Sequence, residues 1–210
     1  MSEVILYDYW RSSASYRVRI ALNMLEIGYK AVPINLLEGK QRSPDYLALN
    51  PQGFVPTLVI DGRVLTQSLA IIEYLAELRP ECGLMPPNIA DRQQVRALAY
   101  AIAMDIHPIC NMHVTAHVMT IVGKAEVREE WMTHFIADGL GKLEAMLSES
   151  DGEFSFGDQP TIADLCLVPQ VYNARRWGVD VTGFERIVDI DGRCATLPAF
   201  QAAHPDRAKP

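Results

Sequence analysis

The chain lacks the long apolar stretch that a membrane span requires. No run approaches the ~18–20 consecutive apolar residues of a bilayer-crossing helix, so no membrane association is expected. The opening MSEVILYDYW reaches charge and aromatic residues too soon for the apolar core of a secretory signal. Cations are the minority charge, 19 Lys and Arg against 26 Asp and Glu, for a net charge of -7. That balance excludes the broad positive field used to bind nucleic acid, though a few arginines can still hold a small anion locally. Cysteine is sparse. Cys82, Cys110, Cys166 and Cys194 stand apart, with no C-x-x-C pair and no Cys/His cluster of the zinc-binding kind, so no metal is expected. Isolated thiols in a chain this long suit a reducing, cytoplasmic setting and not a disulfide framework. Internal repeats and low-complexity tracts are absent as well.

What the chain has is 210 residues, 49% of them apolar, enough to bury a core in one large domain or two small ones. The two halves differ in texture. Val4-Ile5-Leu6-Tyr7 reads as a buried strand, and Ala14, Val18, Ala21 and Leu25 fall at helical spacing until Gly28 stops the helix. Residues 29–35 read as a second strand that Pro33 confines to a sheet edge. Residues 55–60, the turn pair Asp61-Gly62 and residues 63–65 form a hairpin signal. Leu69, Ile72, Leu75 and Ala76 then mark one face of another helix. The order β-α-β-(α)-β-β-α predicts a small mixed sheet. Pro80, Pro86 and Pro87 punctuate a linker, so the domains are expected at 1–82 and 88–210. Beyond the linker the pattern is helical, with long helices over about 88–120, 126–149 and 161–177 and a frayed tail from His204.

Arg11-Ser12-Ser13-Ala14-Ser15 lies where a strand gives way to a helix. One serine there is explained by capping; three beside an arginine exceed what a cap requires. Spare N–H and O–H donors at a helix N-terminus stabilise a phosphate, carboxylate or thiolate. Gln67-Ser68 repeats the arrangement at the helix after the hairpin. Val55-Pro56 allows two readings, an ordinary strand-start proline or a cis bond that offers the Val55 backbone to an extended peptide ligand. Thr161 and Asp164 have capping-box spacing and read as folding residues.

Several blocks together resemble zeta-class glutathione transferases, the group containing maleylacetoacetate isomerase. They are residues 12–22 (SSASYRVRIAL), 32–36 (VPINL), 48–51 (ALNP), 55–58 (VPTL) and 67–75 (QSLAIIEYL), followed by 105–108 (DIHP) and 163–171 (ADLCLVPQV). The resemblance spans nearly the whole chain. It implies a thioredoxin-like α/β N-terminal domain with a mixed four-stranded sheet, an all-α C-terminal domain, a glutathione site at their junction, and a homodimer.

Carried across by position, the thiol-activating region falls on Ser12, Ser13 and Ala14. Many members of the class have cysteine where this chain has Ala14, which leaves the glutathione sulfur as nucleophile and Ser12 or Ser13 as hydroxyl donor. Tyr7 and Tyr9 are the competing donors. The resemblance assigns Val55 to the cysteinyl backbone of glutathione, Gln67 and Ser68 to its γ-glutamyl carboxylate, and Gln41 to its glycyl end. It places His107 and Asn111 on the first long helix, facing the site. Arg11 and Arg176 are the expected grips on substrate carboxylates, while Arg17 and Arg175 read as surface or structural. The implied activity is glutathione-dependent cis–trans isomerisation of a maleyl diacid, with maleylacetoacetate as the leading substrate. Maleylpyruvate isomerisation, glutathione conjugation, dehalogenation or peroxide reduction, and non-enzymatic ligand binding are the alternatives.

Overall fold

A computed structural model describes residues 3–148 and 150–209. The chain divides into two compact units, Met1–Cys82 with Thr196–Pro210, and Gly83–Ala195.

In the first unit the sheet has the order β2-β1-β3-β4. Strand β1 (Ile5–Asp8) runs parallel to β2 (Lys30–Pro33) and antiparallel to β3 (Thr57–Ile60), which pairs with β4 (Arg63–Thr66). Leu6 faces Leu58 across the β1–β3 ladder and both are fully buried, while Pro33 sits on the edge strand where its missing N–H does no harm. Asp61 and Gly62 both have positive φ, 47° and 74°, as the hairpin's two-residue turn requires. Helix α1 (Ser13–Met24) packs on α3 (Ser68–Leu78), and the short α2 (Pro44–Leu49) lies between β2 and β3 in sequence. Helix α1 ends earlier than the sequence pattern suggests. The positive φ of Glu26, 54°, already turns the chain, so Gly28 is not what stops it.

The second unit is helical. Helix α4 (Ile89–Tyr100) continues into a wider-stepped turn, Ala101–Ile106, where the His107 amide reaches back five residues to Ile102. Helix α5 (Met112–Val122) follows after a break. The single helix expected over 88–120 is therefore two: Pro108 has no amide to continue the ladder, and Asn111 adopts an extended backbone from which α5 begins. Helix α6 (Val127–Leu147) buries Met132, Ile136, Leu140, Leu143 and Leu147, a stripe at three- and four-residue spacing. The expected endpoint of that helix at 149 lies outside the described residues. Helix α7 (Ile162–Arg176) is buried along most of its length and packs on α4 and on α8 (Glu185–Ala195). Its capping box is formed: the buried Asp164 carboxylate accepts from the amides of Thr161 (2.7 Å) and Ser155 (2.8 Å). Burial raises the Asp164 pKa and those hydrogen bonds pull it back.

The C-terminal segment departs most from expectation. Helices α9 (Pro198–Ala203) and α10 (Pro205–Ala208) belong with the first unit, not with the helical one, and residues 204–209 are docked and not frayed. Helix α9 packs along α1, the His204 ring meets Tyr16 edge-on at 6.1 Å, and Lys209 lies 5.5 Å over the Trp10 ring. The polar composition of the tail hides these ring contacts. Among the described residues no helix is long and apolar enough to cross a membrane.

Asp164→Ala leaves two buried amides without their acceptor and is expected to cost about 2–5 kcal/mol. Urea unfolding followed by circular dichroism measures it; a loss within experimental error contradicts this role for the carboxylate.

Candidate active site

After β1 the chain reverses tightly, with the Ser12 amide donating to the Tyr9 carbonyl at 2.8 Å. Ser12 has an extended backbone and caps α1: its Oγ accepts from the Ser15 amide at 3.2 Å. A capping oxygen spends a lone pair on the helix and keeps its own hydrogen for another acceptor. Ser12 is half-buried, whereas Ser13 and Ala14 are buried as the first residues of the helix. Helix α1 carries no acidic residue in its first turn, so the positive end of its dipole is not offset locally.

The turn is held from below. Arg19, only 2% exposed, donates through Nη1 to both oxygens of Asp8 (2.8 Å each), through Nη2 to the Trp10 carbonyl (3.0 Å), and through Nε to the Ala203 carbonyl (2.9 Å). Arg11 donates to the Tyr9 hydroxyl at 3.0 Å, and its guanidinium lies 4.9 Å from the centre of the Trp10 ring. The Tyr9 hydroxyl therefore already engages a cation, and Tyr7 packs against Tyr46.

The second helix start lies in the same unit. Gln67 is exposed and held at φ 65°, ψ 111°, which is unusual for a residue with a side chain; its side-chain Nε2 donates to Gln52 Oε1 at 3.0 Å. Ser68 opens α3, is buried, and its Oγ accepts from Arg17 Nη1 at 3.2 Å. Arg17 is 2% exposed, so of its two readings, surface or structural, the structural one holds. A cation thus touches one of the serines expected to hold a carboxylate. No periodicity could show this, because every residue from 13 to 22 is buried and α1 presents no solvent face.

Val55 precedes a cis peptide bond to Pro56 and is buried with Tyr9, Ile34 and Tyr46. The loop that carries it is pinned: Tyr46 Oη donates to the Phe54 carbonyl at 2.6 Å, and Asn50 Nδ2 donates to the same carbonyl at 2.9 Å and to Thr57 Oγ1 at 3.0 Å. Gln41 sits in a short 3-10 turn, Lys40–Arg42, with its Oε1 buried and unbonded among the described residues. An orphaned acceptor, a capping hydroxyl with a proton to give and a second helix start backed by an arginine fit a peptide-like thiol that carries carboxylates and amides.

The remaining candidates lie in the second unit. His107 ends the wide turn after α4, and Asn111 opens α5, so the two flank the break and do not share one helix face. Arg176 closes α7, exposed, with its guanidinium 5.3 Å from the Trp177 ring centre. Arg175 pairs with Asp191 at 2.6 Å, a structural role. The four cysteines form no disulfide. Burial pushes the Cys110 thiol up to about 11 and raises Cys194 as well, so neither offers a ready thiolate.

A thioredoxin-like sheet unit with a serine-capped first helix, in a chain that also carries a helical unit, defines the glutathione transferase class. Family profiles for the glutathione S-transferase N-terminal domain and C-terminal domain match residues 2–77 and 125–205. Maleylacetoacetate isomerase of Rhizobium meliloti is 61% identical over 100% of this chain and 99% of its own length. A solved holo structure of maleyl pyruvate isomerase, described as a bacterial zeta-class glutathione S-transferase, superposes with a TM-score of 0.93 at 41% identity over 97% of both chains. Maleylacetoacetate isomerase from Anaeromyxobacter dehalogenans 2CP-1, solved with dicarboxyethyl glutathione and citrate in its active site, gives a TM-score of 0.87 at 41% identity over 98% of this chain and 95% of that one. The chain belongs to the glutathione S-transferase family, in the zeta class with the maleylacetoacetate isomerases.

Gln67→Gly separates binding from folding. Relief of the positive-φ strain and the added freedom of the unfolded chain oppose each other, so stability should move by less than ~1 kcal/mol. The KM for glutathione should rise about tenfold if the side chain holds the γ-glutamyl end, a loss of one hydrogen bond to a charged group. Thermal melting and steady-state kinetics on the same preparation check both.

Proposed function

We propose that this protein catalyses the glutathione-dependent cis–trans isomerisation of maleylacetoacetate to fumarylacetoacetate. The observation that carries this reading is the Ser12 hydroxyl, which caps α1 with its oxygen and retains its proton at the positive end of the helix. Bound glutathione supplies a thiolate that adds to the activated double bond, allows the resulting single bond to turn, and is expelled unchanged.

The chain's own residues make that thiolate available and hold its partner. A free thiol titrates at ~8.5, and lowering it by about 1–2 units takes roughly 1.4–2.7 kcal/mol of stabilisation of the thiolate over the thiol. One hydroxyl hydrogen bond together with the α1 dipole reaches that range. Ser13 is the alternative donor, and its burial as the first residue of α1 favours Ser12. In this reading Gln67 and Ser68 take the γ-glutamyl carboxylate, with the Arg17 guanidinium behind Ser68. The Val55 backbone aligns the cysteinyl unit, and Gln41 faces the glycyl end. His107 and Asn111 contribute further glutathione contacts. Arg11 and Arg176 take the substrate's carboxylates and the charge that builds on its ketone oxygen. The same reading carries a homodimer and a cytoplasmic location, which the four cysteines, none in a disulfide, suit.

Turnover of maleylacetoacetate with and without glutathione, with free thiol followed throughout, tests the reading. No rate without glutathione and full thiol recovery with it are expected. Net thiol consumption points to conjugation instead, and a strong preference for maleylpyruvate moves the assignment to that shorter diacid. Ser12→Ala should lower kcat/KM at neutral pH about 10- to 100-fold and move the ascending limb of the pH profile up by about one unit, because the thiol then needs more base to ionise. Iodoacetamide at neutral pH should leave Cys110 and Cys194 unmodified by mass spectrometry and activity unchanged on later addition of glutathione, since both thiols stay protonated there.

A further inference from the structure

One turn, residues 50–54, lies against Gln41, leads into Val55 and touches Gln67, the positions proposed for the glycyl, cysteinyl and γ-glutamyl parts of glutathione. Its base is buried and well bonded. Asn50, 1% exposed, accepts the Gln52 amide on Oδ1 at 3.1 Å and donates from Nδ2 to the Phe54 carbonyl (2.9 Å) and to Thr57 Oγ1 (3.0 Å). A side-chain oxygen that takes the amide two residues on mimics a backbone turn and fixes its shape. Gly53 follows at φ 64°, its amide on the Asn50 carbonyl at 3.0 Å. A β-carbon there would come within 3.1 Å of the Gln41 carbonyl oxygen, so this close approach suits glycine.

The Gln52 side chain is exposed, yet its Oε1 accepts from Gln67 Nε2 at 3.0 Å. Gln67 has a backbone conformation that persists only where its surroundings enforce it, and an exposed side chain with several rotamers to lose. Gln52 holds that side chain in place, and a flipped Gln67 amide would set oxygen against oxygen. The bond leaves one N–H and the oxygen of the Gln67 amide unspent, a donor for a carboxylate and an acceptor for an ammonium. The γ-glutamyl end of glutathione presents both groups.

We propose that Gln52 is a positioning residue for glutathione, which touches no part of the tripeptide and pre-orders the Gln67 amide for its γ-glutamyl end from the fixed base of the turn. This rests on the glutathione-dependent isomerase reading and adds the residue that sets how tightly that end is held. With Gln52 present, one long side chain is ordered before glutathione arrives, so less freedom is lost on binding.

Glutathione binding to the full chain, read by titration calorimetry, tests the proposal. Gln52→Ala should raise the Kd about three- to tenfold, the effect of ordering one freed side chain on binding. The melting temperature should stay within about 2 °C of wild type, because the replaced side chain is exposed. The pH at which the bound thiol ionises, followed by thiolate absorbance, should not move, since Ser12 and the start of α1 are untouched. Two comparisons separate positioning from direct contact and from general damage. In a Gln67→Gly background Gln52→Ala should add less than about 1.5-fold, because its effect passes through the missing amide. γ-Glutamylcysteine should weaken as glutathione does, whereas cysteinylglycine should change less than about twofold. An additive loss in the double variant, an equal loss on cysteinylglycine, a lowered melting temperature or a shifted ionisation each overturns the proposal. Wild type that fails to bind glutathione overturns the isomerase reading as well. An unchanged Kd for Gln52→Ala, beside a wild type that binds glutathione and turns over the diacid, overturns the positioning role alone.

Discussion

One guanidinium organises the first unit. Arg19 bonds the carboxylate at the end of β1, the carbonyl of Trp10 in the turn above it and the carbonyl of Ala203 in α9, using all three of its nitrogens. Removing one partner from such a buried pair typically costs ~3–5 kcal/mol, because the other charge is left stranded in a low-dielectric interior. The planar fork makes the arrangement geometrically demanding, and a lysine's single ammonium would not reproduce it. Because the Trp10 carbonyl is fixed, the chain reverses where it does, and Ser12 meets the start of α1 with its oxygen turned to the helix. The placement of Ser12, and with it the role proposed for its hydroxyl, therefore depends on Arg19, which lies buried beneath the turn.

An acidic protein that binds acids must concentrate its positive potential. Here it comes from two helix starts, α1 and α3, and from arginines placed beside them. Arg17 backs Ser68, and Arg11 stands next to Ser12. Each cation is restrained, Arg17 by burial and Arg11 by a tyrosine hydroxyl and an indole face, so little side-chain entropy is lost when an anion arrives. The overall charge of -7 then screens the rest of the surface against polyanions without weakening these two points.

Much of this was legible in the sequence. The β-α-β order, the Asp61-Gly62 hairpin, the edge position of Pro33 and the Thr161–Asp164 cap follow from local rules, because each is decided within a few residues. The serine cap at the start of α1 was legible for the same reason. What could not be read were arrangements fixed by distant partners. Arg17 allowed a surface or a structural reading and Arg19 none in particular, and only the packing of α3 and α9 on α1 makes both interior. The break between α4 and α5 hid behind continuous apolar spacing, because Pro108 follows a wide turn that periodicity does not register. His204 to Lys209 have the composition of a loose end, yet two aromatic rings hold them in place.

The return of residues 196–209 to the first unit has a consequence for how the chain is made. A ribosome delivers the sheet and α1 before the helical unit, but the carbonyl that completes Arg19's set of partners comes from α9, which follows that unit in sequence. Until then the nascent thioredoxin-like half carries an unfinished cation and an uncovered helix flank, and it can close only after the whole helical unit has emerged. Severing the gene at the linker would not yield two self-sufficient modules, because the earlier one would lack its final clasp.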